Sequence, residues 1–153
     1  MTTPPLTGGC QCGAVRFAVD GPLGGAAICH CRMCQKATGA PFGSFVTAKG
    51  GLRWVRGQPK RFQSSNKAQR GFCAACGTPL TFEWKGQPVE VAIGAFDDPA
   101  ANAPTLQLAI DSRLPWFAAL PALPERPKQE APWENLAVSN QHPDHDTDRW
   151  PPA

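Results

Sequence analysis

Short alternating runs of apolar and polar residues occupy most of the first 110 positions, and they predict β-strands. The clearest run is 13–20 (GAVRFAVD), in which Val15, Phe17 and Val19 fall on one side of an extended chain. Similar patterns predict further strands at 26–31, 42–47, 52–56, 59–63, 70–73, 79–85, 88–93 and 106–110. Many short strands at close spacing are typical of an antiparallel, mainly β fold.

Glycine and proline separate these runs. The chain has 15 Gly and 17 Pro among 153 residues, which argues against long helices. Gly86 lies between two of the predicted strands and indicates a hairpin. Only two short helical segments are predicted: one at 34–39, which a glycine ends, and one in 96–101, which Asp97 and Asp98 would cap.

Composition predicts one domain with two flanking segments. A chain of 16.3 kDa with 42% hydrophobic residues is typical of one globular domain. We expect a flexible leader at 1–8, a globular domain at 9–124 and a Pro-rich polar tail at 125–153, either partly disordered or draped on the body. The tail histidines His142 and His145 could form a weak metal site, but a solvated tail is the simpler interpretation.

Hydropathy and charge exclude several classes of protein. No run approaches the ~18 to 20 apolar residues of a membrane span, and the first residues lack the pattern of a secretory signal, so we predict a cytoplasmic protein without a membrane partner. The net charge is +3, and nine Lys or Arg lie between Asp20 and Glu83 with no acidic residue among them. Such a stretch favours an anionic ligand or nearby thiolates. It lacks the aromatic interleaving of a strong nucleic-acid binder.

Seven cysteines fall into three clusters, within GGCQCG, CHCRMC and FCAACG. In a cytosolic protein such clusters serve metal binding or catalysis more often than disulfides. Cys73 and Cys76 form a C-x-x-C zinc knuckle, and Cys10 and Cys12, which would face one side of a strand, are candidates for the other two ligands. Four such ligands make a closed, structural zinc site; the alternative is redox-active or unpaired buried thiols.

The remaining cysteines, Cys29, Cys31 and Cys34, would hold zinc as a tripod with one open coordination position, as catalytic sites do. The alternatives are a second structural zinc completed by His30, or three plain thiols. Because His30 alternates with Cys29 and Cys31, its ring should point away from a metal, which favours a packing role. Trp54, Trp84 and Trp116 are expected mostly in the core, with one or two near the open zinc.

The ordered set GGCQCGAVRF, CHCRMCQKATGAPF, GFCAACGTPLTF and SRLPWF resembles the glutathione-dependent formaldehyde-activating enzyme family, also called the centromere-protein-V-like domain. The resemblance runs over about 7–120. It implies a β-tent-like fold of stacked antiparallel sheets with short helical turns. It also implies two zinc ions per chain, a structural one on Cys10, Cys12, Cys73 and Cys76 and a catalytic one on Cys29, Cys31 and Cys34.

The same resemblance implies carbon–sulfur lyase chemistry, in which the thiol of glutathione adds to formaldehyde to give S-hydroxymethylglutathione, a detoxification reaction. The partner would be glutathione or another small thiol, and Arg32, Lys36 and Arg53 are candidates to hold it, in a monomer or homodimer. Many relatives carry a His and a Trp before SRLPWF, where this chain has LQLAI, so its substrate pocket is expected to differ. The alternative functions are a zinc-stapled protein-binding module without turnover and a thiol-based redox or metal sensor.

Overall fold

Ten short strands form two sheets in the computed structural model, which describes residues 4–127, 133 and 136–149. The strands are Leu6–Gly9 (β1), Arg16–Val19 (β2), Leu23–Cys29 (β3), Gly43–Ala48 (β4), Leu52–Arg56 (β5), Lys60–Gln63 (β6), Ala68–Phe72 (β7), Pro79–Trp84 (β8), Glu90–Ala92 (β9) and Leu106–Leu108 (β10). The helix Arg32–Thr38 (α1) follows β3, and 3₁₀ turns occupy Ile93–Ala95, Pro99–Asn102, Ile110–Ser112 and Phe117–Ala122.

The first sheet has the order β1-β2-β5, and the second has the order β10-β3-β4-β9-β8-β7-β6. The predicted mainly β fold is confirmed, including the hairpin between β8 and β9. All pairs are antiparallel except β10 with β3, which is parallel. β1 begins inside the segment 1–8 that was predicted to be a flexible leader. Its sequence LTGG does not alternate, and pairing with β2 holds it in place.

Side chains from both sheets form one core. Phe17 and Val19 of β2 and Val46, Leu80 and Val91 of the second sheet are at most 2% exposed and belong to the same cluster. Cys10 and Cys73 belong to that cluster too. The core therefore fixes the two chain segments that carry the first and third groups of cysteines.

The prediction that the tryptophans lie mostly in the core is wrong for two of the three. Trp54 packs against the core and makes an edge-to-face contact with Phe17. Trp84 and Trp116 are 46% and 51% exposed. Trp84 is the last residue of β8 and lies at the exposed end of that strand.

The helix α1 begins at Arg32, two residues before the predicted segment 34–39, and it ends at the cap residue Gly39, as the sequence predicts. Gly39 has a φ of 66°, a left-handed conformation that glycine adopts without strain. The buried amide of Gln35 donates hydrogen bonds to the carbonyl oxygens of His30, at 2.8 Å, and Ser112, at 3.1 Å. Those bonds hold α1 against the end of β3, at the junction that lies between Cys29 and Cys34 in the sequence.

The predicted cap of the second helical segment is not formed. Asp98 lies at the cap position of Pro99–Asn102, but its side chain makes no capping hydrogen bond. Asp97 instead binds the buried guanidinium of Arg16 through two hydrogen bonds, at 2.6 and 2.7 Å. A buried arginine without a carboxylate partner would destabilise the fold strongly, so the pair with Arg16 contributes more to stability than a helix cap at the surface.

Part of the predicted tail packs on the body. Asp146 also binds Arg16, at 2.6 Å, and the backbone N–H of His142 donates to the Gln11 carbonyl at 2.7 Å. His142 is 3% exposed, so the interpretation as a solvated residue is wrong there, whereas His145 is exposed. Residues 128–132, 134–135 and 150–153 of the predicted tail, and 1–3 of the predicted leader, lie outside the described residues.

Asp97→Asn is expected to lower the free energy of unfolding at pH 7 by about 2 to 3 kcal/mol, because it leaves the buried Arg16 with Asp146 alone. Burial opposes ionisation of Asp97, but Arg16 and the Thr7 hydroxyl outweigh it and lower the pKa. The stabilisation is therefore complete above the unfolded pKa near ~3.9 and is lost as the pH falls through the lower folded pKa.

Urea denaturation from pH 7 to pH 2 measures this effect, and the difference between wild type and Asp97→Asn should shrink below about pH 4. Asp20→Asn is the matched control, because Asp20 pairs with Arg53 at the exposed surface, where solvent screens the charges and the substitution should cost little stability. Equal losses in the two variants would contradict the importance of the buried pair.

Candidate metal centres

Four cysteine thiols meet where the turn after β1 lies against the turn between β7 and β8. The Sγ–Sγ distance is 3.6 Å between Cys10 and Cys12 and 3.8 Å between Cys12 and Cys73. With Cys76, all four Sγ atoms lie within 4.8 Å of one another. A tetrahedral zinc with Zn–S bonds of about 2.3 Å separates its sulfurs by about 3.8 Å. The spacing of this four-cysteine cluster therefore fits a zinc ion.

Turns, not strands, bring these thiols together. Cys10 and Cys12 follow β1 in a turn closed by a hydrogen bond from the Gly13 N–H to the Cys10 carbonyl at 3.0 Å, which corrects the predicted strand geometry. The second turn is closed by a 2.8 Å bond from the Gly77 N–H to the Cys73 carbonyl. Gly77 has a φ of 79°, so glycine serves this turn without strain.

Local donors and burial give the thiols of this cluster different acidities. Burial raises the pKa of Cys10 to about 12, although the Val15 N–H donates to its sulfur at 3.2 Å. Partial burial acts to raise the pKa of Cys76 too, but the hydroxyl and N–H of Thr78 outweigh it and the pKa falls to about 6. A thiol with a pKa near 12 stays protonated at neutral pH unless a cation compensates, so metal binding here would release protons.

The other three cysteines form a second cluster at the junction of β3 and α1. Cys29 ends β3, Cys31 precedes α1, and Cys34 lies in the first turn of the helix. Their Sγ atoms lie within 4.8 Å of one another, and no fourth His, Cys, Asp or Glu of the described residues joins them. Cys34 is buried, whereas Cys29 and Cys31 are half-buried. A tetrahedral ion held by this three-cysteine cluster would keep one position for a further ligand.

Arg70 of β7 supplies a positive charge to the three-cysteine cluster. Its Nη2 donates to Cys34 Sγ at 3.3 Å, and its Nε donates to the Ser64 hydroxyl at 3.1 Å. The guanidinium carbon lies 4.8 Å from the Phe82 ring centre and 5.9 Å from that of Phe45. With 7% exposure and four neighbours that orient it, Arg70 has little freedom to leave the sulfur.

The cluster contains one thiol that ionises with difficulty and one that ionises readily. Burial raises the pKa of Cys34 to about 12 against the opposing charge of Arg70. Burial acts to raise the pKa of Cys31 as well, but the Cys34 N–H and the neighbouring thiols outweigh it and lower the pKa. Burial raises the pKa of Cys29. Three thiolates here would leave a net negative site around a divalent ion, which Arg70 offsets.

His30 lies outside this cluster, as its alternation with the flanking cysteines predicts. Its ring is fully buried between Phe42 and Phe117, and Nε2 lies 2.9 Å from the Gln107 Oε1. Gln107 belongs to β10. His30 therefore ties the end of β3 to β10 and to the aromatic side chains of Phe42 and Phe117.

Two of the three basic residues proposed to hold an anionic substrate lie beside Arg70. Arg32 and Lys36 of α1 line a groove of ≈ 450 Å³ together with Arg70 and the exposed apolar side chains of Met33 and Phe62. Arg53 lies in the other sheet and binds Asp20 at 2.5 Å. The positive charge near the three-cysteine cluster therefore comes from α1 and β7.

The contact between Arg70 and Cys34 was not predicted from the sequence. The only signal was a basic residue in a strand, three positions before Cys73, within a stretch that has no acidic residue. The two residues are 36 positions apart in the sequence, and no local pattern indicates that their side chains meet.

Arg70→Gln is expected to lower the zinc affinity of the three-cysteine cluster by roughly 10- to 100-fold and to leave the four-cysteine cluster unchanged, because only the former loses a neighbouring charge. Competition with a chromophoric chelator, followed by counting of the zinc released in each phase, measures both affinities. Arg61→Gln removes an equal charge from the same sheet, where Arg61 binds Glu83. Identical release curves for wild type and both variants would contradict a role for Arg70 at the metal.

These features define a mainly β protein with two cysteine clusters that could bind zinc. A family model described as glutathione-dependent formaldehyde-activating enzyme matches residues 5–112, a range that contains all seven cysteines. The chain therefore belongs to that family. Its fold is also similar to the crystal structure of a Rhodobacter sphaeroides protein, with a TM-score of 0.53 and 24% sequence identity over 67% of this chain and 99% of that chain.

Proposed function

We propose that this protein is a zinc-dependent carbon–sulfur lyase that adds the thiol of glutathione, or of a related small thiol, to formaldehyde or a related aldehyde. The observation that carries the proposal is the contrast between a cluster of four thiols and a cluster of three. Four sulfurs complete a tetrahedral ion, whereas three leave a position that a substrate can take. Family membership supports glutathione and formaldehyde as the substrates.

In this proposal the four-cysteine cluster holds a structural zinc and the three-cysteine cluster holds a catalytic one. The catalytic zinc, when bound, would keep a substrate thiol deprotonated near neutral pH. Cys29, Cys31 and Cys34 fix the place of the reaction at the end of β3. Arg70 offsets the negative charge of their sulfurs, and Arg32 and Lys36 would bind the carboxylates of an anionic thiol along the adjoining groove.

The proposed reaction is redox-neutral and reversible. The sulfur of the thiol forms a bond to the aldehyde carbon, the carbon–oxygen double bond becomes a single bond, and the oxygen takes one proton. The proton lost by the thiol equals the proton gained by the oxygen, so no oxidant or reductant is required. The chain needs only to supply a thiolate, which is the nucleophilic form of sulfur, and to hold it in place.

Location is part of the proposal. Among the described residues, no helix has the length and hydropathy needed to cross a membrane. We propose a cytoplasmic location, because thiols and unpaired cysteines stay reduced there.

The proposal is tested by the rate at which glutathione and its formaldehyde adduct interconvert, measured by NMR exchange spectroscopy at fixed pH. Because the two compounds also react spontaneously, the comparison is with an equal concentration of zinc salt. We expect the exchange rate to rise in proportion to the concentration of zinc-loaded protein. S-methylglutathione, which has no free thiol, should show no exchange that depends on the protein. A rate equal to that with zinc salt would contradict the proposal and favour the binding module or the sensor.

A further inference from the structure

A row of side chains crosses one face of the second sheet, starting at the three-cysteine cluster. In the strand register, Phe62 lies opposite Arg70, Arg70 opposite Phe82, and Phe82 opposite Glu90. Directly opposite residues point to the same face of a sheet. Arg70, the second residue of the row, contacts Cys34, and Glu90 lies at the far end of the row, two strands further on. At about 4.8 Å per strand, some 10 Å separate the backbones of Arg70 and Glu90.

Glu90 lies half-buried in a groove of ≈ 440 Å³ lined by Thr47, Phe82, Trp84, Gln87, Pro88 and Glu90 itself. Among the described residues, nothing donates a hydrogen bond to its carboxyl group or forms an ion pair with it. Burial raises its pKa, and the charge of Arg70 opposes that rise from a distance. Arg70 is already bound to Ser64 and Cys34, so it is not a partner that Glu90 can recruit.

A half-buried carboxyl group without a protein partner depends on solvent for its hydrogen bonds, and a ligand that enters the groove can replace that solvent. The side chains around it indicate which ligand. Phe82 and Trp84 are in tilted contact, with ring centres 6.4 Å apart, and Trp84 is 46% exposed beside the groove. A carboxylate beside aromatic faces binds an organic ammonium group, by charge and by cation–π attraction.

We infer that Glu90, Phe82 and Trp84 form an ammonium-binding subsite and that the thiol substrate carries a protonated amine, which reaches this subsite when its sulfur lies at the three-cysteine cluster. The identity of the ligand as a thiol substrate rests on the proposed function, whereas the subsite itself does not. Glutathione, with an amino group on its γ-glutamyl residue, meets this requirement. Thiols whose amine is acylated do not.

The subsite is tested first without any thiol. The indole N–H of Trp84, assigned with Trp84→Phe, is followed by NMR while n-butylammonium chloride is added, with n-butanol as the neutral probe of the same shape. We expect a saturable shift with the ammonium only, its loss in Glu90→Gln, and its retention in Glu83→Gln. Glu83 is the matched control because it lies on β8 and binds Arg61 and Gln69. Equal shifts with n-butanol, or an unchanged response in Glu90→Gln, would overturn the subsite.

The substrate class is tested by the affinities of zinc-loaded protein for glutathione and N-acetylglutathione, measured by calorimetry. In wild type we expect acetylation to weaken binding by roughly tenfold, and in Glu90→Gln we expect the two thiols to bind alike. The wild-type comparison needs no variant to fold. Equal affinities in wild type would overturn this inference while glutathione turnover would still support the proposed function. A response to n-butylammonium with no binding of either thiol would leave the subsite standing and contradict the proposed function.

Discussion

Cys73→Ser is expected to abolish the folded state at 25 °C. Cys73 is 1% exposed, belongs to the core cluster and lies among the four thiols that join the start of the chain to the β7–β8 turn. A structural zinc contributes about 10 to 16 kcal/mol of folding free energy, whereas a domain has a net stability of about 5 to 15 kcal/mol. Losing one of four ligands therefore removes most or all of the stability.

Circular dichroism and dispersion of the amide NMR signals measure this loss. Ala74→Ser is the matched control, because it adds a hydroxyl in the same turn at an exposed position, and it should unfold like wild type. Chelation of the wild-type zinc should mimic Cys73→Ser and be reversed by zinc. A Cys73→Ser protein that unfolds at the wild-type temperature would show that the four-cysteine cluster does not stabilise the fold.

Cys31→Ser is expected to lower turnover by about 10³-fold or more with little change in stability. Cys31 is half-buried and its sulfur accepts a hydrogen bond from the Cys34 N–H at 3.4 Å. Serine is a favourable residue at the start of a helix, so the cap of α1 is retained while one metal ligand is lost. The zinc content should fall from two ions per chain to one.

Adduct exchange by NMR, elemental analysis and thermal unfolding measure the three effects on the same sample. Ala40→Ser is the control, because Ala40 follows the same helix at an exposed position, and it should keep wild-type zinc and turnover. A Cys31→Ser protein with full zinc and full turnover would remove Cys31 from the catalytic site.

The grouping of the cysteines could be predicted because each of the three clusters is local in the sequence and their number limits how they can combine. The spacing of Cys73 and Cys76 indicates a metal-binding turn by itself, and the odd count of seven divides naturally into four and three. The structure brings the same two groups together. Their geometry was harder to predict. Cys10 and Cys12 approach each other through a turn, and the two flanking glycines are a weaker signal for a turn than an alternating pattern is for a strand.

Contacts between distant segments could not be predicted from local patterns. β1 has no alternating pattern and exists because β2 pairs with it. The parallel pairing of β10 with β3 depends on the route of the chain after 95, which no periodicity specifies. Asp146 packs on the body through the buried Arg16, and His142 does so through a backbone hydrogen bond to Gln11. The polar sequence of this segment indicates neither contact.

The same limit applies to the charged groups around the candidate site. Arg70 and Glu90 lie in strands whose sequences are otherwise ordinary, and their positions relative to Cys34 depend on the register of β7, β8 and β9. Trp84 was expected in the core because of its size and hydrophobicity. Its exposure indicates a binding role only because Glu90 lines the same groove, and the sequence does not show that the two residues lie together.

The most direct test of the central claim uses ¹¹³Cd in place of zinc and records its NMR spectrum as glutathione is added. The proposal predicts two resonances per chain, of which the one assigned to the three-cysteine cluster by its loss in Cys31→Ser shifts with glutathione. The other should not move, and S-methylglutathione should shift neither. A single resonance, or two that both ignore glutathione, would contradict an open metal site that accepts the sulfur of the substrate.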